Sequence, residues 1–161
     1  MGIIISLNAA AIADLDLTPA EKVLTETLAD RDRIIASEQQ LQFAIDFPRD
    51  PSDPRELSEI AEIRLWFLRL DARHPYLPFF LDWQAGELAR YTAMLVPHQF
   101  SRSEGIIYNP EALELFVTQK CFLLVDWMRD RGITGTARLQ NLAKMFGYEM
   151  DASFFKRLAE A

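Results

Sequence analysis

The stretch EIRLWFLRLDA, Glu62 to Ala72, decides how the chain is read. Ile63, Leu65, Trp66, Phe67, Leu68 and Leu70 place apolar side chains on both alternating faces, which is what the centre of a sheet requires of a strand. The expectation is a central β-strand. Upstream, QLQFAIDF alternates Leu41, Phe43, Ile45 and Phe47 against Gln42, Ala44 and Asp46, the period of a half-buried strand. Ile3, Ile4, Ile5 and Leu7 read as an opening buried strand. Pro48 to Glu59, PRDPSDPRELSE, ends the second strand with three prolines and clustered charge, and predicts an exposed loop with one helical turn.

Helical signals surround these strands. Thr18-Pro19-Ala20-Glu21 offers a cap, a first-turn proline and a capping-box glutamate for a helix running to about Ala29. From Pro78 the period is helical: Asp82 caps a helix in which Leu88, Tyr91 and Leu95 share a face, ending before Pro97. MLVPHQFSRSEGIIYNPEAL, Met94 to Leu113, then reads as a connection between helices. Asn109-Pro110 starts a long helix that Gly132 ends, with Arg129 and Arg131 at its C-terminus. Its middle, CFLLVDW, is apolar nearly all round. Two short helices follow, the first ending at Gly147, packed through Leu139, Leu142, Phe146 and Phe154. This order predicts one α+β domain over residues 1–161: a small, mainly antiparallel sheet from the N-terminal half packed against helices from the C-terminal half.

Composition removes several functions. A formal net charge of −7 lacks the concentrated Lys/Arg surface that nucleic-acid binding needs and favours basic partners. Ala143 and Gly147 have helix-turn-helix spacing, but Ser153 and Lys156 stand where that motif needs apolar residues. The single Cys121 can form no internal disulfide and cannot alone hold zinc or an iron–sulfur cluster, so it reads as a small buried hydrophobe. Gly2 and Ser6 match the N-myristoylation pattern, which a buried strand explains better. No apolar run reaches the ~18 residues of a membrane span.

Two readings concern chemistry. As an enzyme the chain would gather Asp71, His74, Asp82 and His98, two histidines with carboxylates suited to acid–base work or a metal. None has the spacing that puts ligands on one helical face, and Ser101 and Ser103 near His98 lie outside a nucleophile elbow. No Gly-rich phosphate loop is present, and no cofactor is implied. As a binding protein the chain would use its dense charges between Arg64 and Arg90, with Trp66, Tyr76 and Trp83 as anchors. Glu87 and Arg90, three apart, would pair on a helix surface. A third reading is a homodimer built on the apolar Asn109 helix.

The motifs RLWFLRLDAR, LDWQAGELARY and MLVPHQFS, within Asp53 to Phe116, resemble the chlororespiratory reduction six family of cyanobacteria and chloroplasts, and the rest of the chain follows in outline. The resemblance implies a non-enzymatic assembly factor for the photosynthetic NAD(P)H dehydrogenase-like complex, acting on its ferredoxin-like subunit I, which carries two iron–sulfur clusters. It implies a cytoplasmic, cyanobacterial member, since no transit peptide is evident. One cysteine suits a protein that holds a client and not a cluster scaffold. The family carries no catalytic residue set. The residues expected to contact or orient the partner are Arg69, Asp71, Arg73, Trp83, Glu87, Arg90, His98, Gln99 and Phe100.

Overall fold

The expected central strand is a helix. In the computed structural model, which describes residues 2–134 and 136–160, Ala61–Arg73 is α-helical. Ile63, Trp66, Phe67 and Leu70, spaced i, i+3, i+4, i+7, are buried together, whereas Leu65 and Leu68 stand 51% and 45% exposed. A strand would have put Trp66, Leu68 and Leu70 on one face; a helix separates Leu68 from the other two.

The chain forms two compact units, one up to Tyr108 and one from Asn109 onward. In the first, β1 (Ile3–Asn8) pairs with β2 (Leu41–Asp46) in parallel, Ile3 opposite Leu41 and Asn8 opposite Asp46. A parallel pair needs a long crossover. Helices α1 (Ala9–Ala13), α2 (Thr18–Thr27) and α3 (Arg31–Ala36) supply it. Asn8 and Asp30 cap α1 and α3 by accepting the N–H groups of Ala11 and Arg33, both at 2.8 Å. Pro19 sits in the first turn of α2, which begins one residue before the expected position and ends two before. Ile5, Leu7, Leu41 and Phe43 turn inward; Ile4, Ser6 and Ala44 face outward.

After the proline-rich loop comes the expected helical turn, Leu57–Glu59, then α4 (Ala61–Arg73), a second short turn at Leu77–Phe79, and α5 (Glu87–Leu95). Gly86, at φ +84°, caps α5, and Asp82 closes the preceding turn by accepting the Ala85 N–H at 3.1 Å. The expected connection beyond Pro97 is an antiparallel hairpin, β3 (His98–Ser101) and β4 (Gly105–Tyr108), whose turn needs Gly105 at φ +75°. The expected mainly antiparallel sheet is thus two separate two-stranded sheets, one of them parallel, and the helices lying on β1 and β2 include α1, α2 and α5 of the same N-terminal unit.

Beneath β2 the rings of Phe43, Trp66, Phe67 and Tyr91 meet edge to face, with centroids 5.0–6.2 Å apart. Trp66 donates its indole N–H to the Asp16 carbonyl at 2.8 Å, fastening α4 to the segment after α1.

The second unit holds α6 (Pro110–Asp130), α7 (Ala137–Met145) and α8 (Ala152–Glu160). Asn109 caps α6 through the Ala112 N–H at 3.0 Å, and Gly132 (φ +69°) and Gly147 (φ +87°) follow α6 and α7 as the sequence indicates. Leu124, Met128, Leu139, Leu142 and Phe155 are buried; the inward ring of α8 is Phe155, while Phe154 meets Phe122 edge-on at 6.3 Å. No helix among the described residues is long and apolar enough to cross a membrane.

The helical assignment of Glu62–Ala72 has a direct test. Phe67→Ala should lower unfolding stability by about 3–5 kcal/mol, and Leu68→Ala should change it by less than about 0.5 kcal/mol. Urea denaturation of the two variants measures both; equal losses would contradict the helix.

Candidate functional site

The polar chemistry of the first unit centres on the edge of β2. On the side away from β1, the Leu41 N–H donates to the Phe80 carbonyl at 2.8 Å, and the Asp82 N–H to the Leu41 carbonyl at 2.9 Å. Gln42 Nε2 adds a bond to Asp82 Oδ2 at 3.0 Å. At Phe43 side chains take over from backbone. The Glu87 carboxylate accepts the Phe43 N–H, and Arg90 Nη2 donates to the Phe43 carbonyl at 3.4 Å. Arg90 Nη1 reaches Glu87 Oε1 at 3.4 Å, so the two residues, one turn apart on α5, stand where a neighbouring strand would. They pair as the sequence indicates, though beneath the surface: Glu87 is 6% exposed. Burial pushes its carboxyl above the ordinary glutamate range, against the opposing pull of Arg90 and the Phe43 N–H. Arg90 Nε is shielded from solvent without a partner among the described residues.

A cleft of about 580 Å³ opens at the C-terminal ends of β1 and β2, lined by Ser6, Asn8, Phe43, Asp46, Leu57 and Arg90 among others. Crevices beyond the carboxyl ends of parallel strands are where open sheets commonly receive ligands. Of the nine expected contact residues, Arg90 lines it.

The others lie on α4, in the segment before α5, on α5 and on β3. Asp71 on α4 accepts the Tyr91 hydroxyl at 2.9 Å; Tyr91 is fully enclosed, and burial together with the Asp71 charge raises its phenol well above the usual range. Arg73 pairs with Glu21 at 3.4 Å on the surface. Arg69 is exposed on the same helix. Trp83 donates its indole N–H to the Pro78 carbonyl at 2.8 Å and is half-buried. Trp66 and Tyr76, read from sequence as surface anchors, are 0% and 8% exposed and belong to the core.

His98 begins β3. Its Nδ1 lies 3.0 Å from the Val96 carbonyl, which can only accept, so Nδ1 carries the proton; its Nε2 lies 3.1 Å from the Ser58 hydroxyl. The imidazole therefore ties the hairpin to the Leu57–Glu59 turn. Tyr108, its register partner, donates to the Ala89 carbonyl at 2.8 Å, and burial pushes its phenol up to about 12. Gln99 and Phe100 project from β3 into solvent.

The residues of the enzyme reading are each held by a different group. Asp71 is bonded to Tyr91, His74 Nδ1 to the Tyr76 hydroxyl at 2.9 Å, Asp82 to Gln42, and His98 to Ser58. Burial lowers the His74 pKa. Ser101 and Ser103 bond to one another at 3.1 Å. Cys121 is buried, its thiol raised to about 11 by desolvation. Among the described residues no three His, Cys, Asp or Glu side chains are arranged to hold a metal.

Sequence reasoning missed Phe43, Ser58 and Tyr91 as the partners of Glu87, His98 and Asp71. Ser58 and His98 are 40 residues apart, and no local pattern marks that pairing.

Glu87→Ala should cost about 2 kcal/mol, because it strips an acceptor from the Phe43 N–H and a counter-charge from Arg90. Glu87→Gln should cost less and alter the pH dependence. A carboxyl raised in the folded state keeps a proton that the unfolded chain has lost, so its contribution to stability falls as pH rises from about 4.5 through the folded value. Urea midpoints from about pH 4 to 7 should show the parent losing stability relative to Glu87→Gln. His98→Ala should cost about 1–2 kcal/mol by orphaning the buried Ser58 hydroxyl, which the same titration reads.

No solved structure matches this chain. A family model described as chlororespiratory reduction 6 matches residues 7–157, covering most of both units. By that match the chain belongs to the chlororespiratory reduction 6 family.

Proposed function

We propose that the chain acts by binding protein during assembly of the photosynthetic NAD(P)H dehydrogenase-like complex, holding the ferredoxin-like subunit I before it is incorporated and then releasing it. The family match over nearly the whole chain supports this reading, since the family's description refers to chlororespiratory reduction and the sequence resemblance implies a role in assembling that complex. The proposed setting is the cytoplasm of a cyanobacterium.

The disposition of side chains supports binding over turnover. The candidate acid–base groups are committed to structural bonds, and a buried thiol raised to about 11 is poorly placed as a thiolate ligand to a cluster. The exposed members of the contact set, Arg69 and Arg73 on α4 with Gln99 and Phe100 on β3, meet the partner. Asp71, Trp83, Glu87, Arg90 and His98 orient the elements that carry them. Charge favours a basic client surface: residues from Asn109 onward contain seven acidic and seven basic side chains, so the whole net charge of −7 belongs to the first unit.

Deleting the gene in its host should deplete subunit I and the assembled complex, as quantified on native gels and immunoblots. Complementation with Phe100→Asp, an exposed change expected to alter stability by less than about 0.5 kcal/mol, should restore the complex only in part. Normal complex in the deletion strain would overturn the proposal.

A further inference from the structure

Helix α4 has a second apolar face. At 100° per residue, Ala61, Leu65, Leu68 and Ala72 fall on the side opposite Ile63, Trp66, Phe67 and Leu70. All four are exposed, Leu65 by 51% and Leu68 by 45%. Their spacing of four, three and four is that of the a and d positions of a helix seam. Single exposed leucines are ordinary on protein surfaces, but here they stand in a stripe in register along a helix already anchored on its other side.

The flanking charges select its occupant. Glu62 and Arg69 lie along one border of the stripe, Arg64 and Asp71 along the other, at the e and g positions. A second copy of α4 laid parallel would set Arg64 against Arg69. Laid antiparallel, it sets Glu62 against Arg69 and Arg64 against Asp71, each contact occurring twice by symmetry. Leu65 then meets Leu68 at the centre, and Ala61 meets Ala72 at the ends, where small side chains let the helices approach. Tyr91 steadies Asp71, and the Met94 carbonyl accepts from Arg64 Nε at 3.4 Å, so two of the four charges are partly oriented. Arg69 has no hydrogen bond or ion pair among the described residues.

We propose that α4 pairs with α4 of a second copy, antiparallel, through Ala61, Leu65, Leu68 and Ala72, with Glu62–Arg69 and Arg64–Asp71 pairs along both borders. The face shares Arg69 with the proposed client contact, but the pairing requires neither a client nor a dimer through α6. A 13-residue helix gives a seam of about 20 Å, too short to bury the ~1,200 Å² of a stable complex. The dimer is accordingly weak and reversible, with a dissociation constant on the order of 100 µM.

Sedimentation of the full chain from about 5 to 500 µM at low ionic strength tests this, since surface pairs are least screened there. The parent should shift from monomer to dimer. Arg69→Glu should weaken association about tenfold, because both Glu62–Arg69 contacts become repulsive. The swap Glu62→Arg with Arg69→Glu should return it to within about threefold of the parent, since the same two contacts re-form with reversed sign. Circular dichroism confirms that the variants fold. A parent that stays monomeric overturns the proposal, as does a dimer that is indifferent to Arg69→Glu or not restored by the swap.

Discussion

Phe43 is the residue on which the first unit depends. Its ring touches Trp66 and Phe67, so the strand that carries it fixes where α4 lies. Its backbone, at an edge where no further strand arrives, is satisfied by Glu87 and Arg90, so the same residue fixes where α5 lies. An unpaired N–H and C=O at a sheet edge beside a core cost free energy unless something meets them. Here a carboxylate and a guanidinium one turn apart supply an acceptor and a donor. A two-stranded sheet is marginal by itself; this one is stabilised by helices packed on its inner face and by side chains that imitate a third strand.

The same economy governs the other polar groups. Asp71 closes α4 to α5 through Tyr91, His98 closes the hairpin to the Leu57–Glu59 turn through Ser58, and Tyr108 closes β4 onto α5 through Ala89. These long-range bonds convert a unit with little regular sheet into one with fixed relative positions of its elements. What is left exposed after they form is a set of arginines and apolar side chains on α4 and β3, the residue types that protein interfaces favour.

How much of this was legible follows from the range of each signal. Proline and asparagine at helix starts, glycine at helix ends and the alternation of QLQFAIDF act over a few residues, and all lie where the sequence places them. Glu62–Ala72 misled because one helix with two apolar faces has the same composition as a strand with two apolar faces; only the position of Leu68 relative to Trp66 and Leu70 separates them, and burial decides that. The hairpin was hidden because its strands are four residues long and its turn, Arg102-Ser103-Glu104 leading into Gly105, lacks the Asn-Gly or Asp-Gly signature. The roles of Glu87, Asp71 and His98 were not legible because their partners lie 20 to 44 residues away along the chain in segments with no shared pattern.

The parallel pairing of β1 with β2 also sets a schedule for the chain as it is made. β1 precedes its partner strand by some 38 residues, and the edge of that partner is satisfied only once Arg90 is available. Ile5 and Leu7 therefore wait for most of the first unit to be translated before they are covered, a stretch of non-local contacts that slows closure. The three helices from Asn109 onward make their own contacts among near neighbours and can form as soon as they appear. The exposed interval in the synthesis of the first unit thus lasts until α5 has arrived to seal the sheet.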